Sequence, residues 1–163
     1  MLPLLCVFVL GIVDFSRALY VAEVVRNLSG EGSSLASRGN PLTDTINTVV
    51  ADAGADLNMA ANGCVIVSSV ALATATTYVI TAQAKSSPCN NASSKLGCIP
   101  PPSSCTSQTT TLPSSVEAVI SSNPNYTAYV TEVYYNFTPV TPIGVFLKNN
   151  NLLPTQLYSG AYY

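Results

Sequence analysis

The feature that most constrains this chain is its opening, because Met1 to Val13 is almost wholly apolar and carries no charge. Water solvates such a segment poorly, so it must enter a membrane or be buried against protein. Asp14 and Arg17 interrupt the pattern, which then continues at helical spacing through Phe15, Ala18, Leu19, Ala22 and Val25. Residues 2–25 reach the length of about 20 residues that a helix needs to cross the hydrocarbon of a bilayer.

These residues predict one helix that begins near Pro3 and ends around residues 28–30. Its first half is apolar all round, and its second half is amphipathic. Asp14 and Arg17 lie three residues apart on this helix, so they can pair and lower the cost of burying either charge.

Composition excludes several function classes. Charged residues make up 9% of the chain and hydrophobic residues 48%, whereas soluble domains carry roughly 25% charged residues. The net charge is −2 and no basic run is present, which argues against nucleic acid as a partner. The chain contains no His, the commonest general base and metal ligand. We interpret Glu117 as a helix-cap partner and Glu132 as an ordinary strand residue, and predict no enzymatic activity and no cofactor.

Four cysteines lie in the polar half of the chain: Cys64, Cys89, Cys98 and Cys105. Their spacings are wider than the close pairs of a zinc site, so two disulfides are the better interpretation, which places this half outside the cytoplasm. Three of them fall in the Pro/Ser-rich loop of residues 85–113, which would be disordered without cross-links. Three connectivities are open, of which we favour Cys89–Cys98 with Cys64–Cys105. Cys6, in the apolar opening, is expected to remain a thiol.

A second amphipathic helix is predicted from Asn40, as its N-cap, and Pro41 to about Met59. Two stretches rich in β-branched residues follow at 64–72 (CVIVSSVAL) and 77–84 (TYVITAQA). They predict an antiparallel pair of strands.

The last third of the chain predicts a short helix and two more strands. Ser114 and Glu117 form a capping-box pattern. A strand at about 126–137 is apolar on both faces, which predicts a place in the middle of the sheet, and residues 156–163 predict a final strand. The expected fold is therefore α+β and has two parts. An N-terminal hydrophobic helix (residues 1–30) precedes a globular domain (31–163), in which a second helix packs on a mainly antiparallel four-stranded sheet with a disulfide-braced loop.

Residues 2–39, LPLLCVFVLGIVDFSRALYVAEVVRNLSGEGSSLASRG, resemble the amino-terminal block of TadE-like pseudopilins, from the Tad branch of type IV pilus and secretion systems. That block runs L-P-L-L, an apolar stretch, G-I-[VI]-[ED]-F-x-R-A-L-Y, and a polar helix with E-G and a late R-G. Residues 129–144, YVTEVYYNFTPVTPIG, are similar to the family's closing strands. The family usually has Glu where this chain has Asp14. It also carries a leader before L-P-L-L, so we expect Met1 to be either a late gene start or a processed end.

The resemblance implies a pilin-like structural subunit. Residues 2–25 would hold it in the inner membrane, and Tad-type assembly machinery would then extract it into a cell-surface filament made of copies of itself. The alternative is a membrane-anchored adhesion module that binds its target through residues 85–115. A buried Asp14 needs a partner: either Arg17 of its own helix, or Arg17 or the Met1 amino group of a neighbouring subunit. A contact between subunits would fix their axial register.

Asn91, Asn125 and Asn136 stand in N-x-[ST] sequons, the acceptor pattern for N-glycosylation. In a chain this rich in Asn, Ser and Thr, several such triplets arise by chance.

Overall fold

A computed structural model of the chain describes residues 2–54, 57–74, 77–87, 89, 92–97 and 108–163, without the side chains of residues 2–4 and 108. Within these ranges the chain forms five helices and five strands. The helices are α1 (Leu2–Ser37), α2 (Leu42–Asp52), α3 (Met59–Asn62), α4 (Ser114–Ser122) and α5 (Pro142–Asn149). The strands are β1 (Gly63–Thr74), β2 (Thr77–Lys85), β3 (Gln108–Thr110), β4 (Thr127–Asn136) and β5 (Gln156–Tyr162).

The N-terminal helix α1 continues two turns beyond its predicted end. Its polar second half stays helical while its serine hydroxyls donate to carbonyls one turn back, as Ser29 does to Arg26 O at 2.8 Å. The helix ends before Gly39, whose φ of +88° is the left-handed conformation that favours glycine.

The five strands form one sheet in the order β3-β2-β1-β4-β5, and each neighbouring pair is antiparallel. β4 lies between β1 and β5, which confirms the interior position predicted from its two apolar faces. The front face, with Val65, Val67 and Val133, packs under α1 and α2. The back face, with Val70 and Val130, packs under α4 and Leu96.

The prediction of four strands is wrong, because β3 adds a fifth. Gln108–Thr110 pairs with Tyr78–Ile80 on the outer edge of β2. These residues belong to the loop for which we predicted no strand, only a shape given by disulfides, but β-branched threonine suits an extended edge strand.

The second helix is shorter than predicted. α2 ends at Asp52 rather than near Met59, because Gly54 adopts a positive φ of 68° that terminates the helix. Met59 instead begins the short helix α3. Two predicted N-caps are displaced by one residue, to Pro41 from Asn40 and to Pro113 from Ser114.

A disulfide joins Cys64 to Cys89, with their Cα atoms 4.8 Å apart. The favoured pairing of Cys89 with Cys98 and of Cys64 with Cys105 is therefore wrong. β1 and β2 pair with Ile66 opposite Lys85, so the chain that leaves β2 passes directly beside Cys64. Cys98 and Cys105 lie outside the described residues. Cys6 is an exposed thiol on α1, as predicted.

The close approach of α1 to β4 gives a first prediction. A methyl group on Gly32 would lie 2.7 Å from Thr131 Cγ2 on β4, whereas one on Gly30 would meet nothing within 4 Å. We expect Gly32→Ala to lower the free energy of unfolding by about 1–3 kcal/mol through overpacking. The matched control Gly30→Ala should raise it by about 0.5–1 kcal/mol, because alanine favours the helix. Thermal unfolding of the full chain in detergent micelles measures both, and equal stability of the two variants would contradict the close contact.

Candidate functional site

The carboxylate of Asp14 lies fully buried (0% exposed) against the segment that joins β4 to α5. One oxygen accepts a hydrogen bond from the backbone N–H of Val140 at 2.9 Å. The other accepts from the backbone N–H of Thr141 at 3.1 Å and from the Thr141 hydroxyl. Both oxygens are thus satisfied by donors of the same chain, as a buried carboxylate requires.

The sequence T-P-I-G, residues 141–144, builds the other side of this contact. Thr141 is the N-cap of α5, and its hydroxyl oxygen accepts from the Gly144 N–H at 3.0 Å. Pro142 occupies the first turn of the helix, where its missing N–H costs nothing. A Cβ on Gly144 would lie 2.6 Å from Asp14 Cγ, so only glycine leaves room for the carboxylate. The negative charge sits at the positive end of the helix dipole of α5. We call Asp14, Val140, Thr141 and Gly144 the Asp14 site.

The Asp14 site marks where α1 enters the globular domain. From Asp14 onward one stripe of α1 is buried, including Ala18, Val21 and Val25. Before Asp14, residues 2–13 form about 18 Å of helix at 1.5 Å per residue, and the large apolar side chains described there are exposed: Leu5, Val7, Phe8, Val9, Leu10, Ile12 and Val13. By length and composition, Leu5–Ser37 qualifies as a candidate membrane span.

Of the residues predicted to set subunit contacts, the structure describes Asp14 and Arg17. Arg17 is exposed on α1, and within the described part of the chain no hydrogen bond or ion pair joins it to Asp14. Met1 lies outside the described residues. The pairing of these charges between neighbouring subunits stays a prediction.

A second buried carboxylate, missed in the sequence, lies on the back face of β4. Glu132 is 1% exposed and accepts the backbone N–H of Lys95 at 2.8 Å and the hydroxyl of Ser94. The hydroxyls of Tyr134 and Tyr158 approach the same carboxylate at 3.1 and 3.3 Å. We call these five residues the Glu132 cluster. It fixes residues 92–97, part of the loop that the disulfide also holds, onto the sheet.

The tyrosines of the Glu132 cluster remain protonated donors. Burial, and after it the negative charge of Glu132, raises the pKa of Tyr134 and of Tyr158 above the ordinary value of 10.0. The Lys95 ammonium lies 3.4 Å from the centroid of the Tyr158 ring, a cation–π contact. The sequence could have indicated that Glu132 is buried, because Glu132 lies two residues from Tyr134 on the same face of a central strand.

The remaining polar features offer little chemistry. Among the described residues, no three Cys, Asp or Glu side chains meet in a group that could hold a metal ion. A groove of about 370 Å³ between α2 and the end of β2 has Lys85 as the charged residue of its lining. The predicted capping box of Ser114 with Glu117 is not formed, because the N-cap of α4 is Pro113 and no side chain caps it. Glu117 instead accepts the Leu112 N–H at 3.3 Å, one residue before the N-cap. Asn125 and Asn136 are exposed, and Asn91 lies outside the described residues.

The family model described as TadE-like protein matches residues 1–33. It confirms the resemblance seen in the sequence over the first 33 residues, which comprise most of α1 and include Asp14 and Arg17. No curated protein and no solved structure matches the chain. The match and the apolar helix fit a membrane-anchored, pilin-like component of a Tad system.

We predict that Glu132→Gln releases residues 92–97 from the sheet. The Gln amide keeps one accepting oxygen, and its NH2 group, which can only donate, would face the donors that the second carboxylate oxygen now accepts. The free energy of unfolding should fall by about 1–3 kcal/mol, the cost of unsatisfied buried donors. Hydrogen exchange of the Lys95 and Leu96 amides should accelerate at least tenfold. Glu117→Gln is the matched control, since its carboxylate accepts one bond at a half-buried position. Unchanged protection in Glu132→Gln would show that the disulfide alone holds the loop.

Proposed function

We propose that this chain, whose residues 1–33 match the TadE-like family model, is a pilin-like structural subunit. In this proposal α1 holds it in the inner membrane, and Tad-type machinery then assembles copies of the chain into an extracellular, cell-surface filament. The observation that carries the proposal is the run of exposed apolar side chains from Leu5 to Val13. The described globular domain covers one stripe of α1 from Asp14 onward but does not cover this run, which therefore needs another apolar environment.

The energetics support a subunit that lies first in the membrane and then in a filament. Burial of one Val, Leu or Phe side chain stabilises by about 1.5–3 kcal/mol, so the free part of α1 strongly favours lipid or other helices over water. Before assembly the bilayer supplies this environment. In a filament, the same helices from neighbouring copies would supply it at the centre.

The two faces of the sheet support an outward position for the loop. α1 and α2 pack on the front face, whereas residues 92–97 lie on the back face with the Glu132 cluster. If α1 lies at the filament centre, the back face points outward. Residues 85–113 would then form outer surface, as expected from their few apolar side chains.

Asp14 also has a proposed role within the subunit, beside the charge pairing between subunits that stays a prediction. Because its oxygens are satisfied by Val140 and Thr141, we propose that it fixes the height at which the globular domain joins α1. Each subunit would then present the same free length of helix to its neighbours. Between subunits, the proposed contact joins Asp14 to Arg17, exposed three residues further on, or to the Met1 amino group of a neighbouring copy.

The experiment that tests this function uses cells that carry the assembly machinery. Sheared surface material should contain filaments that include the tagged chain when viewed by electron microscopy. We expect Phe8→Asp to abolish them, because it places a carboxylate within the packed helices. The control Val119→Asp changes an exposed apolar residue of α4, away from α1, and should leave filaments intact.

Two results would overturn the proposal. Filaments that persist with Phe8→Asp would show that α1 does not lie in their core. Wild-type chain that stays wholly in the membrane fraction of competent cells would favour the adhesion module.

A further inference from the structure

Helix α5 and the residues on either side of it, Val140 and Leu152, expose apolar side chains that a water-facing helix would not need. Val140 is 67% exposed and Phe146 is 64% exposed, and Val145 and Leu152 are exposed as well. Such a cluster on the surface of a small domain marks a contact with another apolar phase.

This cluster begins beside α1 at Val140. The Val140 N–H is bonded to Asp14 at 2.9 Å, so Val140 lies at the level of Asp14 along the helix. At and just beyond that level, α1 itself exposes Phe15, Leu19 and Tyr20. We call these side chains, together with Val140, Val145 and Phe146, the apolar collar.

The α1 part of the apolar collar lies within the candidate membrane span of the chain. Leu5–Ser37 qualifies for such a span by length and composition, and Phe15, Leu19 and Tyr20 belong to its apolar part, before the charges Glu23 and Arg26. Tyr20 is an aromatic residue of the type found at the membrane interface.

Several polar groups at this level are bonded within the protein. Non-helical backbone is tolerated at membrane depth only when its donors are bonded within the protein, and Asp14 accepts those of Val140 and Thr141. The Lys148 ammonium donates to Phe137 O at 3.0 Å, so its charge turns toward the protein. Arg17 is exposed within the collar, and its long side chain can reach the headgroups from there.

We propose that α5 and Val140 insert into the outer part of the bilayer beside α1, so that the subunit contacts lipid through two elements. The occupant of the collar before assembly is thus the lipid surface, at the depth of headgroups and upper acyl chains that amphipathic interfacial helices reach. This inference rests on the proposed anchoring of α1. It gives the Asp14 site a second purpose, because the carboxylate makes the start of α5 compatible with lipid.

The chain contains no Trp, so a single introduced tryptophan reports on its own position without background from others. Phe146→Trp tests the collar, Phe8→Trp tests the anchor, and Val119→Trp on α4 serves as the exposed control. Each full-length variant is reconstituted into phosphatidylethanolamine–phosphatidylglycerol vesicles at a low protein-to-lipid ratio. Quenching is measured with aqueous acrylamide and with lipids brominated near the carbonyl end or near the methyl end of the acyl chain.

We expect the fluorescence of Phe146→Trp to be several-fold less sensitive to acrylamide than that of Val119→Trp. Bromine near the carbonyl end of the acyl chain should quench Phe146→Trp more than bromine near the methyl end.

Three outcomes would contradict the lipid contact, and they are distinguishable. If acrylamide quenches Phe146→Trp as strongly as Val119→Trp while Phe8→Trp is protected, the collar lies in water and only this inference fails. If Phe8→Trp is itself open to acrylamide, the proposed anchoring fails as well. Protection of Phe146→Trp that arises only at a high protein-to-lipid ratio would assign the collar to a second copy of the chain.

Discussion

The hydrogen bonds from Val140 and Thr141 to Asp14 decide how the globular domain sits on the long helix. A carboxylate without donors could not remain in this apolar helix, and the start of α5 could not be buried without an acceptor. The carboxylate and the N–H groups at the start of α5 therefore each supply the hydrogen-bond partner that the other needs. The contact divides α1 into about 18 Å of free apolar helix and a second part that is packed on the sheet. Anchoring, assembly and the proposed lipid contact of α5 all depend on this division.

Glu132 is a second buried carboxylate that accepts hydrogen bonds from a distant segment, on the opposite face of the sheet. There the carboxylate accepts from Ser94 and Lys95, with the hydroxyls of two tyrosines close by, and so holds part of the polar loop in place. Together with the Cys64–Cys89 bond, it gives shape to a segment that has too few apolar side chains to fold by burial alone. In the described domain, one buried carboxylate thus joins α5 to α1, and another holds part of the outer loop on the sheet.

Much of the fold could be predicted, because hydrophobic periodicity is local. The helix through Asp14, the strand pair at β1 and β2, and the interior position of β4 all follow from apolar spacing. The short strand β3 and the break of α2 at Gly54 could not, since each depends on a neighbour or a backbone conformation rather than on a pattern. The need of Asp14 for a partner was also predictable. Its partner was not, because Thr141 is 127 residues away in sequence and donors from the backbone leave no charge to recognise.

A double-mutant cycle between Asp14 and Thr141 tests this account most directly. The free energy of unfolding is measured for the full chain in detergent micelles, with Asp14→Ala, Thr141→Val and the double variant. The control pair is Ser16→Ala with Thr141→Val, because Ser16 is exposed on the same helix. We predict a coupling on the order of 1–3 kcal/mol for Asp14 with Thr141, and additivity for the control pair. Additivity within about 0.5 kcal/mol for Asp14 and Thr141 would contradict the claim that this contact joins the globular domain to α1.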